Sequence, residues 1–258
     1  MLNSILKLNP VFLSLLGGLF SFFMTALGSS IVLLFRKCNK FINDSMLSIS
    51  SGIMFSASFF SLLSPALKTY KLLNQNFFLN IFLGFLFGGV FILLNNKIID
   101  KINSYNFQNI KNSFLLFISI TLHNIPEGLA IGVAYGNLLY GGTISAAISL
   151  TFGISIQNFP EGAAISLPLK RDNISSKKAF LFGAISGLVE PIFAVIGALL
   201  VLRVKQFMSF ILCFAAGAMI FVTIFDLIPE SQKSEKKGLM ALLFIIGFLI
   251  MMSLDVLL

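Results

Sequence analysis

The sequence has no tryptophan, a single histidine (His123), two cysteines (Cys38 and Cys213) and few charges. Charged residues make up 11% of the chain, against about a quarter in a soluble domain. Set beside 57% apolar residues, that shortage excludes an ordinary water-soluble globule. Two isolated cysteines, one at a loop edge and one inside an apolar stretch, exclude a disulfide framework and a paired-thiolate zinc site. One histidine excludes the His-Glu-x-x-His helix of the zinc proteases, which needs two. There is no Gly-rich phosphate loop, so nothing points to a nucleotide-driven pump. Lys and Arg outnumber Asp and Glu by 18 to 10. They are scattered over short loops rather than gathered in a stripe with aromatics between them, which argues against a nucleic-acid partner.

What the sequence does have is apolar length. Runs of about 20 apolar residues, enough to cross ~30 Å of hydrocarbon at 1.5 Å per residue, recur along the whole chain. They predict an all-α polytopic membrane protein, one transmembrane domain over residues 1–258. Eight transmembrane helices are expected, near 10–35, 46–67, 77–95, 113–136, 143–169, 179–202, 207–229 and 238–257. The first run continues past Ala26-Leu27-Gly28 to Phe35, which favours a retained span over a cleaved signal peptide. Of the 18 Lys and Arg residues, only Lys7, Lys68, Lys71, Arg203 and Lys205 fall on one side of these spans. The richer side is predicted to be cytoplasmic, which puts both termini outside a cell membrane. Glycines at four-residue spacing (Gly84 and Gly88, Gly128 and Gly132, Gly183 and Gly187) predict close helix packing in lipid.

Against this apolar background one polar phrase occurs twice. It reads His123-Asn124-Ile125-Pro126-Glu127-Gly128, then Gln157-Asn158-Phe159-Pro160-Glu161-Gly162. At 100° per residue, His123, Asn124 and Glu127 share an arc of one helix, as do Gln157, Asn158 and Glu161 of the next. Consecutive spans run antiparallel, so the copies are expected to face each other across a pseudo-two-fold at the membrane midplane. Pro126 and Pro160 each deprive a carbonyl one turn earlier of its donor. A lone intramembrane His, Asn or Gln usually just bonds a neighbouring helix. Repetition with a buried carboxylate each time favours a cation site instead.

Glu190, followed by Pro191 in the sixth span, is a third buried acid and joins the candidate ligands. Met54, Ser58 and Ser61 share one face of the second span. Asp226 and Glu230 end the seventh span, balanced between an exit role and a solvated terminus; Asp255 is given no role. Imidazole, carboxylate and amide oxygen together suit Zn²⁺, Fe²⁺, Mn²⁺ or Co²⁺ better than Cu⁺, and the imidazole tilts the choice away from Ca²⁺ and Mg²⁺. Two other readings stay open on the residues alone: a proton- or sodium-coupled carrier using the acids as a relay, and an intramembrane metalloenzyme.

The paired phrases resemble the fourth and fifth spans of the ZIP (Zrt/Irt-like) metal transporters, above all their GufA-like bacterial branch. The flanking phrases Gly52-Ile53-Met54-Phe55-Ser56-Ala57-Ser58, Val189-Glu190-Pro191 and Asp226-Leu227-Ile228-Pro229-Glu230-Ser231 resemble those of its second, sixth and seventh spans. The resemblance covers the whole chain. It implies a bundle in which spans 1–3 and 6–8 are inverted repeats around spans 4 and 5. It implies uptake of a divalent metal, usually Zn²⁺ with Fe²⁺, Mn²⁺, Co²⁺ or Cd²⁺ as other cargo, no separate cofactor, and a homodimer. By the same resemblance, His123, Glu127, Gln157 and Glu161 would hold one metal, with Met54 close by. Asn124, Glu127, Asn158, Glu161 and Glu190 would hold a second. Apart from the resemblance, the expected pathway leads in past Ser58 and Ser61 and out past Asp226 and Glu230. Two departures stand out: Gln157 occupies a position where many members have histidine, and residues 96–112 lack the histidine cluster common in the family.

Overall fold

The structure is a computed structural model and describes residues 9–34, 40–72, 74, 76–104, 112–203 and 207–257. Cys38, Lys7, Arg36, Lys37, Lys111 and Lys205, which entered the reading of cysteines and loop charge, lie outside the described residues. No strand occurs among those described.

The first helix, α1 (Pro10–Ser29), starts where Asn9 accepts the Val11 amide at 2.9 Å and Pro10 fills the first position. Next, α2 (Lys40–Ala57) passes through a π-helical turn, Ser58–Leu63, into α3 (Ser64–Leu72). A second π turn, Phe78–Phe82, opens α4 (Leu83–Ser104). The two phrases lie in α5 (Asn112–Gly136) and α6 (Ile144–Arg171), joined by a tight connection that Gly141 makes possible with φ of 97°. The chain continues as α7 (Ser176–Ser186), α8 (Val189–Arg203) and α9 (Met208–Val222). A third π turn, Thr223–Leu227, and a short turn, Ile228–Ser231, precede α10 (Lys237–Leu257).

Among the described residues, six helical segments are long and apolar enough to cross a membrane: Pro10–Leu34, Lys40–Lys71, Phe78–Ile98, Ser176–Arg203, Met208–Ser231 and Lys237–Leu257. The expected fourth and fifth spans, α5 and α6, are 25 and 28 residues long but are not among the six. Each carries its polar phrase mid-helix, and neither faces outward. Between residues 147 and 170 of α6 only Phe152 is exposed, and α5 has no exposed residue from 120 to 136. A helix enclosed by other helices need not be apolar all round.

The distribution of side chains is inside-out relative to a soluble protein. Large apolar residues such as Phe23, Phe87, Leu199 and Ile246 are exposed. Hydroxyls are buried: Thr25, Ser58, Thr151, Ser155 and Thr223 each bond the carbonyl four residues back on their own helix. In hydrocarbon every polar group must be satisfied internally, and this is how these hydroxyls are.

The main helix pairings are α5 with α8, α1 with α6, α2 with α10, α4 with α9, and α1 with α8. Glycine sets how close these approach. A Cβ on Gly128 would lie 2.6 Å from the Glu190 carbonyl oxygen, and one on Gly162 would run into that of Thr25. Gly52 and Gly247 lie against backbone across the α2–α10 contact, and Gly88 and Gly217 across α4–α9. Between α6 and α10 the close approach differs: Gly153 lies against the thioether of Met251.

Candidate metal centre

The facing of α5 and α6 brings the two phrases together. Gln157 Nε2 donates to Glu127 Oε1 at 2.5 Å, tying the second phrase to the carboxylate of the first. Asn124 Nδ2 donates to the Ser186 carbonyl at 3.1 Å and to Glu190 Oε1 at 3.4 Å. Asn158 Nδ2 donates to Glu190 Oε2 at 2.8 Å and to Ser21 Oγ at 2.9 Å. Thr25 Oγ1 completes this arrangement with a 3.1 Å bond to Glu190 Oε1. Glu127, Asn124, Gln157, Asn158 and Glu190 are fully buried, and Glu161 is 2% exposed.

The amide nitrogens are thus all used by the protein, and the oxygens are left over. Asn124 Oδ1, Glu127 Oε2, Gln157 Oε1, Asn158 Oδ1 and both Glu161 oxygens are buried without a hydrogen-bond partner. Unsatisfied buried acceptors are costly and call for an explanation. The carboxyls of Glu161 and Glu190 are close enough to Glu127 for mutual repulsion. A cation among these oxygens would give them a partner and favour the ionised form of the carboxyls. No set of three or more His, Cys, Asp or Glu side chains among the described residues is grouped to hold a metal alone, whereas the buried amide oxygens are able to add donors.

Both helices run through their prolines without a break, Pro126 within α5 and Pro160 within α6. The carbonyls of Leu122 and Ile156 therefore lack their usual donors beside the site. Ser50 of α2 donates to the Gln157 carbonyl at 3.2 Å, which binds the second phrase to the α2–α10 pair.

The remaining expected residues fall into place unevenly. His123 is buried on the phrase's own arc, but its Nε2 lies 3.4 Å from Asp226 Oδ2. Asp226 thus stands beside His123, presented by the π turn Thr223–Leu227, and it is only partly exposed. Glu230 is separate: it is exposed and bonded to Lys233 at 2.6 Å, an ordinary surface pair. Met54 is buried in α2, and Ser58 is occupied in bonding the Met54 carbonyl at 2.8 Å. Ser61 bonds both oxygens of Asp255, at 2.8 and 2.6 Å, and Ser149 joins them at 3.2 Å.

Asp255 is therefore a residue that sequence reasoning passed over. Its partners are Ser61 in the π turn after α2 and Ser149 at the start of α6, both remote in sequence. Ser21 and Thr25, which hold Asn158 and Glu190, were also missed. The signal for them was present: Ser14, Ser21 and Thr25 recur at helical spacing on one face of an otherwise apolar span.

A family profile described as ZIP Zinc transporter matches residues 104–255. Zinc transporter ZIP11 of Xenopus tropicalis is 33% identical, with 96% of this chain and 98% of that protein aligned. The chain belongs to the ZIP family. Zinc transporter ZIPB of Bordetella bronchiseptica is 31% identical over 94% of this chain and 80% of its own length. Zinc transporter GufA of Myxococcus xanthus is 33% identical over 56% of each. ZIP members are metal transporters, so this chain is a multi-pass membrane transporter and not an enzyme.

Proposed function

We propose that the protein takes Zn²⁺, and other divalent transition metals less selectively, into the cytoplasm through a two-position centre between α5 and α6. The observation that carries this is the set of unpaired buried oxygens on Asn124, Glu127, Gln157, Asn158 and Glu161. Zinc is the cargo in the names of the relatives. Glu127 and Glu161 serve both positions. His123 and Gln157 complete one; Asn124, Asn158 and Glu190 complete the other. The mixed oxygen and imidazole shell holds metal loosely enough to release it, unlike a closed thiolate cage.

Eight spans with inverted repeats fit the pairings. Exchanging α1 with α8, α2 with α9, α4 with α10 and α5 with α6 turns α5–α8 into α6–α1 and α2–α10 into α9–α4, and all four contacts exist. The glycine contacts follow the same exchange, Gly128 meeting Glu190 where Gly162 meets Thr25. Thr25 stands where a second Glu190 would be, so the two metal positions differ in charge.

The route runs between α5 and α6. Metal enters past Ser61, Asp255 and Ser149; Ser149 lies eight residues, ~12 Å of helix, before Gln157 on α6. It sheds water to Met54 and the glutamates, then leaves past His123 and Asp226. An inside-negative potential of 100 mV favours entry of two charges by ~4.6 kcal/mol. Bound metal requires deprotonated carboxylates, so loading releases protons.

Uptake of radioactive Zn²⁺ into proteoliposomes tests the function, with flux above empty vesicles expected. Titration calorimetry tests the centre: Glu127→Ala and Glu161→Ala should each abolish Zn²⁺ binding. Unchanged affinity in either variant moves the site elsewhere.

A further inference from the structure

A cleft on the membrane-facing side of the α2–α10 pair takes no part in this route. Its volume is about 600 Å³, and its wall is largely phenylalanine: Phe55, Phe59 and Phe60 from the α2 side and Phe248 from α10. The rings interlock, with centroids 5.2 Å apart for Phe55 and Phe59 and 6.1 Å for Phe60 and Phe248. The π turn Ser58–Leu63 leaves adjacent Phe59 and Phe60 both open, at 41% and 39% exposure. Beyond the rings, Lys68 and Lys71 line the cleft where α3 carries the chain out of the apolar zone. Both are exposed, and neither meets a carboxylate among the described residues.

We propose that this cleft binds one anionic phospholipid, with an acyl chain along the phenylalanine wall and its phosphate between the Lys68 and Lys71 ammonium groups. An apolar cleft at membrane depth fills with hydrocarbon whatever the lipid; the two lysines select the headgroup. Each lays its stem on apolar surface and lifts its charge to the interface, where it meets phosphate as a point charge. A zwitterionic headgroup brings its own ammonium and gains less. The position of these lysines agrees with a ligand, because they are two of only five cations on the side predicted to be poor in them. A second copy of the chain is the poorer occupant. A two-fold contact places the same patch on both sides, so four lysines would gather around one seam. The lipid packs on the back of the turn that presents Ser61 to Asp255.

The absence of tryptophan provides a clean test. Phe248→Trp puts a single indole in the cleft, and Ile192→Trp puts one on an exposed face of α8, at a residue 57% exposed. Each is reconstituted with brominated phosphatidylglycerol or brominated phosphatidylcholine at equal mole fraction. Stronger quenching by phosphatidylglycerol is expected at position 248 and equal quenching at 192. Lys68→Gln and Lys71→Gln should each weaken the preference at 248 roughly five-fold. Equal quenching by the two lipids at 248, the same preference at 192, or a preference that survives both lysine substitutions overturns the proposal. Absence of quenching by either lipid means that protein covers the cleft, which also overturns it. Native mass spectrometry of the unaltered chain reads the same quantity without a new side chain: retained phosphatidylglycerol should exceed phosphatidylcholine and fall to parity when both lysines are replaced. Parity before replacement sinks the idea.

Discussion

Gln157 donates its amide hydrogen to Glu127 across the contact between α5 and α6, and so joins the two polar phrases through one bond. That bond fixes the amide's orientation: its nitrogen is committed to the protein, and its oxygen is left buried without a partner. Replacing this oxygen by imidazole nitrogen would make the proposed donor set softer. In Gln157→His, Zn²⁺ uptake should gain over Mn²⁺ uptake by on the order of tenfold, in keeping with the preference of imidazole for zinc. Competition between the two metals in proteoliposomes measures it, and an unchanged ratio shows that residue 157 does not set the choice.

His123 and Asp226 should behave as a unit. A carboxylate beside a metal-ligating imidazole orients the ring, and losing such a partner costs ~10–100-fold in metal affinity. Asp226→Asn is therefore expected to weaken Zn²⁺ binding by about that factor. In the His123→Ala background the same change should have little further effect. Calorimetry on the two single variants and the double variant decides; fully additive losses mean that the two act separately.

Glu230 offers the contrasting case. Its bond to Lys233 is exposed on both sides, and exposed pairs contribute ~0–1 kcal/mol. Glu230→Gln should leave Zn²⁺ uptake and thermal stability unchanged. A large loss of flux would return this residue to the route.

Asp255 should govern entry rather than storage. Asp255→Asn keeps the shape and one oxygen to accept from Ser61 and Ser149 but removes the charge. The expected result is a raised KM for uptake with calorimetric affinity at the centre retained. A loss of equilibrium binding equal to the loss of transport places Asp255 in the centre itself.

The glycine of the second phrase is a packing residue with a sharp limit. Gly162→Ala puts a methyl group against the Thr25 carbonyl, and overpacking of this kind costs ~1–3 kcal/mol. A lowered Tm in detergent is expected for this variant. An unshifted Tm means that α1 and α6 can part at no cost.

Much of the centre is legible in the sequence because helix periodicity is local. His123, Asn124 and Glu127 fall on one arc by spacing alone, and the second copy does the same. What is not legible is which side chains meet across 60 to 200 residues. Asp226 near His123, and Asp255 on Ser61, depend on how α9 and α10 lean on the bundle. Each of these contacts involves a π turn, whose extra residue shifts register in a way that 100° periodicity does not reveal. The eightfold count of spans has a related difficulty. Hydropathy reads lipid-facing helices, whereas α5 and α6 face protein on nearly every side.

The contact between Gly153 and Met251 differs in kind from the approaches of backbone to backbone. At Gly28, Gly128, Gly132 and Gly162, and again within the α2–α10 and α4–α9 pairs, glycine lets backbone lie on backbone, and such helices cannot slide without being prised apart. Where α6 meets α10, the glycine faces the end of a long, unbranched, polarizable side chain. Methionine has rotamers to spare, so that seam can shear by re-folding one thioether. Such a seam gives way more readily than backbone on backbone, and Gly153 stands four residues before Gln157 on α6.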